Sequence, residues 1–174
     1  MSTLGYPPRV IAVFRSGDLP RGTRDATLAL WHVADPGNVG TLLRSADAFG
    51  AGVALSPGCA DPTGPKALRA SAGALFRVPV SGFDEALRPP QAAGASVGIA
   101  RRVALVAHGG TPLVEVDLAR PVVLVLGAER EGLPEEVLAR CDVRASIPQT
   151  GDAESLNVAM AGTVALYELA RRSL

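Results

Sequence analysis

The stretch Ile147–Glu168, IPQTGDAESLNVAMAGTVALYE, decides how this chain is read. It opens on a rigid Ile-Pro pair, runs through small and polar residues, and reaches the triplet Ser155-Leu156-Asn157. From Ser155 to Tyr167 there is no charge, and most side chains are apolar or small. A helix that is apolar on every side is predicted to be buried. Ser155 and Asn157 fall where that helix begins, and polar groups placed there need partners if they leave water. A ligand meeting the helix start supplies them. Local capping is the alternative: Ser155 as N-cap and Asn157 as a first-turn residue.

Upstream, strand-like runs cover Thr27–Val33, Val53–Ser56, Phe76–Val80, Val103–His108, Val122–Leu126 and Val143–Ile147. Helix-like stretches alternate with them: Val39–Phe49, Lys66–Ala72, one from about Phe83, one after Pro134, and the last helix. Val39, Leu42, Leu43 and Ala46 give the first an i, i+3, i+4, i+7 stripe. VVLVL at Val122–Leu126 reads as a strand covered on both faces. The pattern predicts an α/β fold, a parallel sheet flanked by helices, with ligands gathered past the carboxyl ends of the strands. Val10–Phe14 is read as a short strand or docking segment.

The 174 residues, 48% of them apolar, suit one domain with a proper core. No apolar run reaches the roughly 20 residues of a membrane span, and the N-terminus lacks a secretory pattern. Cys59 and Cys141 have no metal-ligand spacing and read as small core residues of a cytoplasmic protein. No metal is expected. Net charge is zero, but residues 1–114 carry 11 basic and 7 acidic side chains, whereas residues 115–174 carry 6 and 10. No acid lies between Asp61 and Asp84, where Lys66, Arg69 and Arg77 stand. This allows a local positive face, although charge alone favours an ordinary solvated surface.

Two further segments carry chemistry. In DPGNVGTLLRSADAFG, Asp35–Gly50, Asn38 is either an N-cap or a functional amide. Arg44, at the edge of the apolar stripe, is expected to hold its guanidinium near the interior, where it suits a phosphate or carboxylate. In Val123–Leu138, the run Gly127-Ala128-Glu129-Arg130-Glu131-Gly132 fails as a dinucleotide fingerprint. Glu129 stands where backbone must approach a pyrophosphate and repels it. Glu131, Glu135 and Glu136 read as solvent-facing acids of the next helix. His32 and His108 read as structural, Trp31 as a core residue of its strand.

Taken together, Asn38 to Arg44, Gly127 to Gly132 and Ile147 to Asn157 resemble, in order and spacing, the motifs of SpoU-type (TrmH-like) RNA 2'-O-ribose methyltransferases of the SPOUT superfamily. Asp61–Val80 is also similar, and the resemblance runs from about Thr27 to the end. It implies a SPOUT fold with a C-terminal trefoil knot, a rare topology. It implies S-adenosylmethionine as methyl donor, contacted by Leu126, Gly127, Ile147 and Leu156. Arg44, Glu129, Ser155 and Asn157 become the polar site supported by Asn38, in a homodimer acting on rRNA or tRNA. Gln149 and Ala159 depart from the family pattern, where an apolar residue and a serine are usual. Arg9, Arg15, Arg21, Arg24, Lys66, Arg69 and Arg77 become candidate phosphate contacts. The division expected is a lead-in over residues 1–26 and a methyltransferase domain over 27–174, recognising RNA unaided or truncated from a longer protein. The rival reading is a non-catalytic RNA-binding or assembly protein on the same fold. An intact set of Arg44, Glu129, Ser155 and Asn157 weighs against it. A nucleotide-dependent oxidoreductase is disfavoured by the missing central glycine, and with one tryptophan and two tyrosines no base-stacking platform is evident.

Overall fold

The computed structural model describes residues 13–88 and 100–172. Seven strands, β1 (Ala26–Leu30), β2 (Gly52–Leu55), β3 (Val80–Gly82), β4 (Arg101–Leu105), β5 (Thr111–Pro112), β6 (Val122–Leu126) and β7 (Val143–Ser146), form one sheet in the order β3-β2-β1-β6-β4-β7-β5. Every pairing is parallel, as the alternation of strands and helices predicted. Their carboxyl ends therefore open on one edge.

β6 occupies the centre, bonded to β1 on one side and β4 on the other. All five of its residues are buried, the signature read in VVLVL. Its side chains alternate between two cores. Val122, Leu124 and Leu126 join Leu28 and Leu30 under α1 (Pro36–Phe49) and α5 (Val158–Arg171). Val123 and Val125 join Ala29 and Ala54 under α3 (Phe83–Ala86) and α4 (Glu135–Leu138). Helices cover both faces, and each buried aliphatic side chain contributes roughly 1.5–3 kcal/mol. Cys59 and Cys141 are half-buried free thiols on the two cores. Desolvation is the main cause that pushes Cys141 up to about 11.

Two helix contacts set the site. Gly40 of α1 meets α2 (Pro65–Ser71), where a Cβ would stand 2.4 Å from the Ala67 carbonyl oxygen. Gly162 of α5 meets α1, where a Cβ would stand 2.4 Å from Leu42 Cδ2. Beside it Ser45 Oγ and Thr163 Oγ1 lie 2.7 Å apart. These close crossings seat the start of α5 beside the start of α1.

Several local expectations are corrected. Phe76–Val80 is not a strand: Ala74–Phe76 is a 3-10 turn, and the strand starts only at Val80. Phe76 is largely exposed and meets Phe14 edge-on at 4.9 Å between centroids. Trp31 lies just beyond β1 and is half-buried, outside the strand's fully buried stretch. The last helix is not buried all round, since Met160, Val164 and Tyr167 are 51%, 41% and 57% exposed. Arg9 and most of Val10–Phe14 lie outside the described residues.

Candidate functional site: a pocket and a cleft at the carboxyl edge of the sheet

The loop after β1 enters α1 through Asp35. Its carboxylate accepts the N–H of Asn38 at 3.0 Å and a hydrogen bond from Lys66 Nζ at 2.9 Å. Lys66 first, then the Asn38 amide, holds this carboxyl below its ordinary value. Asp35 is thus the N-cap, with Pro36 in the first turn. The cap reading of Asn38 is excluded, and its side chain is released for another partner.

At the opposite helix start the roles are also exchanged. Asn157, not Ser155, caps α5, its Oδ1 accepting Ala159 N at 2.9 Å and Met160 N at 3.4 Å. The helix begins at Val158, so Ser155 and Leu156 belong to the loop before it. The Nδ2 of Asn157 donates to Asn38 Oδ1 at 3.2 Å, and Asn38 Nδ2 donates to Glu129 Oε1 at 2.8 Å. Three motifs far apart in the chain are joined by two side-chain hydrogen bonds.

Glu129 owes its position to a tight hairpin. Ala128 and Gly132 exchange backbone hydrogen bonds at 3.2 and 3.0 Å, and Gly132 takes φ +66°. Gly127 packs so closely under it that a Cβ would stand 2.2 Å from the Gly132 carbonyl carbon. No other residue fits at 127.

Two hollows share this hairpin as a wall. A pocket of about 200 Å³ is lined by Leu126, Gly127, Ile147 and Leu156, with Glu129, Ser155 and Gln149 supplying polar groups. An open cleft of about 870 Å³ is lined by Asn38, Glu129, Asn157, His32, Gly58 and Arg130, among others. Every residue proposed from sequence for cofactor contact lines the pocket. Gln149 Oε1 is, among the described residues, the one buried side-chain nitrogen or oxygen atom with no hydrogen-bond partner.

The basic residues behave otherwise. The Arg44 side chain is exposed, makes no hydrogen bond or ion pair with the described residues, and lines neither hollow. The expectation of a guanidinium held near the interior is corrected: position 44 faces away from the apolar stripe of α1. Arg77 is engaged by Asp47 at 2.7 and 2.9 Å, and its carbonyl accepts from Arg24. Lys66 is engaged by Asp35, whereas Arg69 is exposed with no such partner among the described residues. Arg15 and Arg21 are exposed as well.

Sequence reasoning passed over His32. It lines the cleft at φ +51°, a conformation with no signature in single-sequence patterning. Its ring stacks on Trp31 with centroids 4.5 Å apart and planes at 4°.

Comparison with known proteins agrees with this geometry. Residues 25–167 match the SpoU rRNA Methylase family. A protein of Synechocystis sp. described as an uncharacterized tRNA/rRNA methyltransferase is 40% identical over 146 residues, covering 83% of this chain and 53% of that protein. The 23S rRNA (uridine(2479)-2'-O)-methyltransferase of Streptomyces viridochromogenes is 36% identical over 183 residues, 97% of this chain and 62% of that protein. The crystal structure of an AdoMet-bound rRNA methyltransferase from Sinorhizobium meliloti superposes with a TM-score of 0.76 at 36% identity, covering 88% of this chain and 58% of that one. The chain thus spans about half to two thirds of the length of these relatives. By sequence match and by fold, the chain belongs to the SpoU rRNA Methylase family.

Proposed function

We propose that this protein transfers a methyl group from S-adenosylmethionine to a ribose 2'-hydroxyl of rRNA or tRNA. The observation that carries the reading is the chain Asn157–Asn38–Glu129, which joins three motifs at the boundary between pocket and cleft. Relatives support the class: one is named for 2'-O-methylation of rRNA, another is AdoMet-bound. The pocket also fits that cofactor. Leu126, Ile147 and Leu156 offer apolar walls, and the orphaned Gln149 oxygen awaits a donor such as an adenine amino group.

When bound, the cofactor supplies an electrophilic methyl carbon on a sulfonium. Leu126, Gly127, Ile147 and Leu156 would hold the methyl donor, and the chain's polar residues would hold a ribose with its 2'-hydroxyl at the pocket mouth, its proton passing to solvent as the methyl is taken up. Such positioning is worth several kcal/mol, on the order of 7–11 at best. Asn38 and Asn157 orient Glu129, which accepts hydrogen bonds from the nucleotide, while Ser155 adds a hydroxyl at the pocket wall. Arg44 lines neither hollow of its own chain, so it anchors an adjacent phosphate only where a second copy completes the site; a guanidinium stays protonated and is no general base. Arg69, Lys66, Arg77 and Arg24 add backbone contacts that position RNA without reading its sequence.

The domain is taken as residues 27–174 after a lead-in of 1–26, and the protein as cytoplasmic. The trefoil knot belongs to the same proposal, supported by the central place of β6 and the return of α5 onto α1. A homodimer is supported by the exposed apolar stripe of α5. That stripe starts one turn beyond the Asn157 cap, so a partner on it stands beside the cleft and can bring Arg44 to bear.

The test is incubation with tritium-labelled S-adenosylmethionine and either ribosomal RNA or total tRNA, followed by alkaline hydrolysis. Label in alkali-resistant dinucleotides is expected, because a 2'-O-methyl blocks cleavage. Label only in mononucleotides would mean base methylation. No transfer despite calorimetric binding of the donor would favour the non-catalytic scaffold, and NAD(H) binding would overturn the cofactor assignment.

A further inference from the structure

We infer that His32 is a nucleotide-contact residue, its imidazole edge hydrogen-bonding the base of the RNA nucleotide seated in the cleft beside Asn38, Glu129 and Asn157. The inference rests on the RNA-methylating reading above.

The first support is conformational. His32 has φ +51°, and a non-glycine residue there is uncommon and strained. Its side chain is exposed, so no burial in the core offsets the strain. A strained backbone that carries an exposed side chain on the wall of a cleft is better explained by what the cleft receives.

The second is orientation. The ring lies against the Trp31 indole at 4.5 Å, and Trp31 in turn rests on Phe83 at 5.1 Å. Gly58 closes on it so tightly that a Cβ would stand 3.2 Å from His32 Cδ2. The main-chain N–H of His32 donates to Ser56 Oγ at 2.9 Å. The imidazole is thus held without a hydrogen bond between its ring nitrogens and any described residue. A neutral imidazole offers one donor and one acceptor, and here both are spare.

The third is charge. The cleft carries the carboxylates of Asp35, Glu129 and Glu131 against the single cation Arg130 among its described lining residues, a balance that disfavours a phosphate. A base edge is neutral, presents donors and acceptors, and suits an imidazole fixed in this setting. The pre-set orientation lowers the ordering cost of that contact.

The chain has one tryptophan, so its fluorescence reports on the ring beside it. Wild type, His32→Gly and His32→Asn would be titrated with transcribed 23S rRNA and with total tRNA, following Trp31 emission. KM and kcat for methyl transfer, calorimetric Kd for S-adenosylmethionine and Tm complete the set. His32→Gly is expected to raise KM for RNA about tenfold, the scale of one hydrogen bond. Its cofactor Kd should not move, and its Tm should not fall because glycine accepts φ +51° freely. His32→Asn keeps a donor, an acceptor and tolerance of this backbone, and should recover part of the affinity.

RNA affinity unchanged in His32→Gly overturns the inference. So does a loss that runs in step with lower Tm and weaker cofactor binding, which marks a structural role. Wild-type protein that takes neither RNA overturns the RNA-methylating reading itself, a result distinct from a silent mutation.

Discussion

Each polar residue of the site is defined by what it no longer has to do. Asp35 caps α1 and so frees the Asn38 amide, which then donates to Glu129. Asn38→Asp keeps the shape but sets a second carboxylate against Glu129. Methyl transfer is expected to fall about a hundredfold, the scale of a lost site donor, while calorimetry shows cofactor affinity nearly unchanged. Arg44→Ala should abolish transfer with stability altered by no more than about 0.5 kcal/mol, since the side chain is exposed and has no partner among the described residues. Wild-type turnover by that variant would remove Arg44 from the site. Gln149→Met separates two effects of opposite sign. Deleting the orphaned oxygen should stabilise the free protein by about 1 kcal/mol and weaken cofactor binding by roughly five- to tenfold. A thermal shift without ligand and a titration with it read the two independently. Lower free-protein stability with intact affinity would mean that the oxygen does not face the cofactor.

At the scale of elements, α5 does most to join stability to function. Its first residues receive the Asn157 cap, Gly162 lets it press onto Leu42 of α1, and Leu166 and Leu169 fill the larger core. Met160, Val164 and Tyr167 follow an i, i+4, i+7 spacing and form one exposed face. Phe49 approaches Tyr167 edge-on at 6.4 Å, extending that face onto α1. An apolar stripe left to water is the mark of an interface. Val164→Glu, a charge at its centre, is expected to convert a dimer to a monomer in sedimentation velocity without unfolding it. An unchanged sedimentation coefficient, or a monomeric wild type, would assign the stripe elsewhere.

At the scale of the whole molecule, the far end of α5 ties the chain down. Glu168 is buried between Arg171 and Arg172, and Arg172 also donates to the carbonyls of Leu113, Val114 and Val116. Arg171 first, then Arg172, lowers the Glu168 carboxyl from 4.5 to about 2. A depressed carboxylate contributes stability that is fully present above its unfolded value and lost as pH falls through the folded one. The urea midpoint should therefore decline between about pH 4.5 and 2, and Glu168→Gln should flatten that acid limb. Equal slopes in both proteins would show that other carboxylates govern it. Local patterning was enough for a parallel sheet flanked by helices, because β6 is apolar throughout and α1 carries a clear stripe, but it placed β3 too early and missed the short β5. The three motifs were legible from residue type and order, whereas Leu126, Gly127, Ile147 and Leu156 were named only through the family resemblance; all four line one pocket. What sequence could not settle was which of two adjacent polar residues caps a helix. Asp35 against Asn38, and Asn157 against Ser155, differ by a turn of backbone that tertiary packing selects. Nor could it show that α5 leaves one apolar face open, because burial depends on which helices arrive and not on composition. The left-handed backbone of His32 beside Gly58 and the orphaned oxygen of Gln149 belong to the same class, since each is defined by groups brought near from distant parts of the chain.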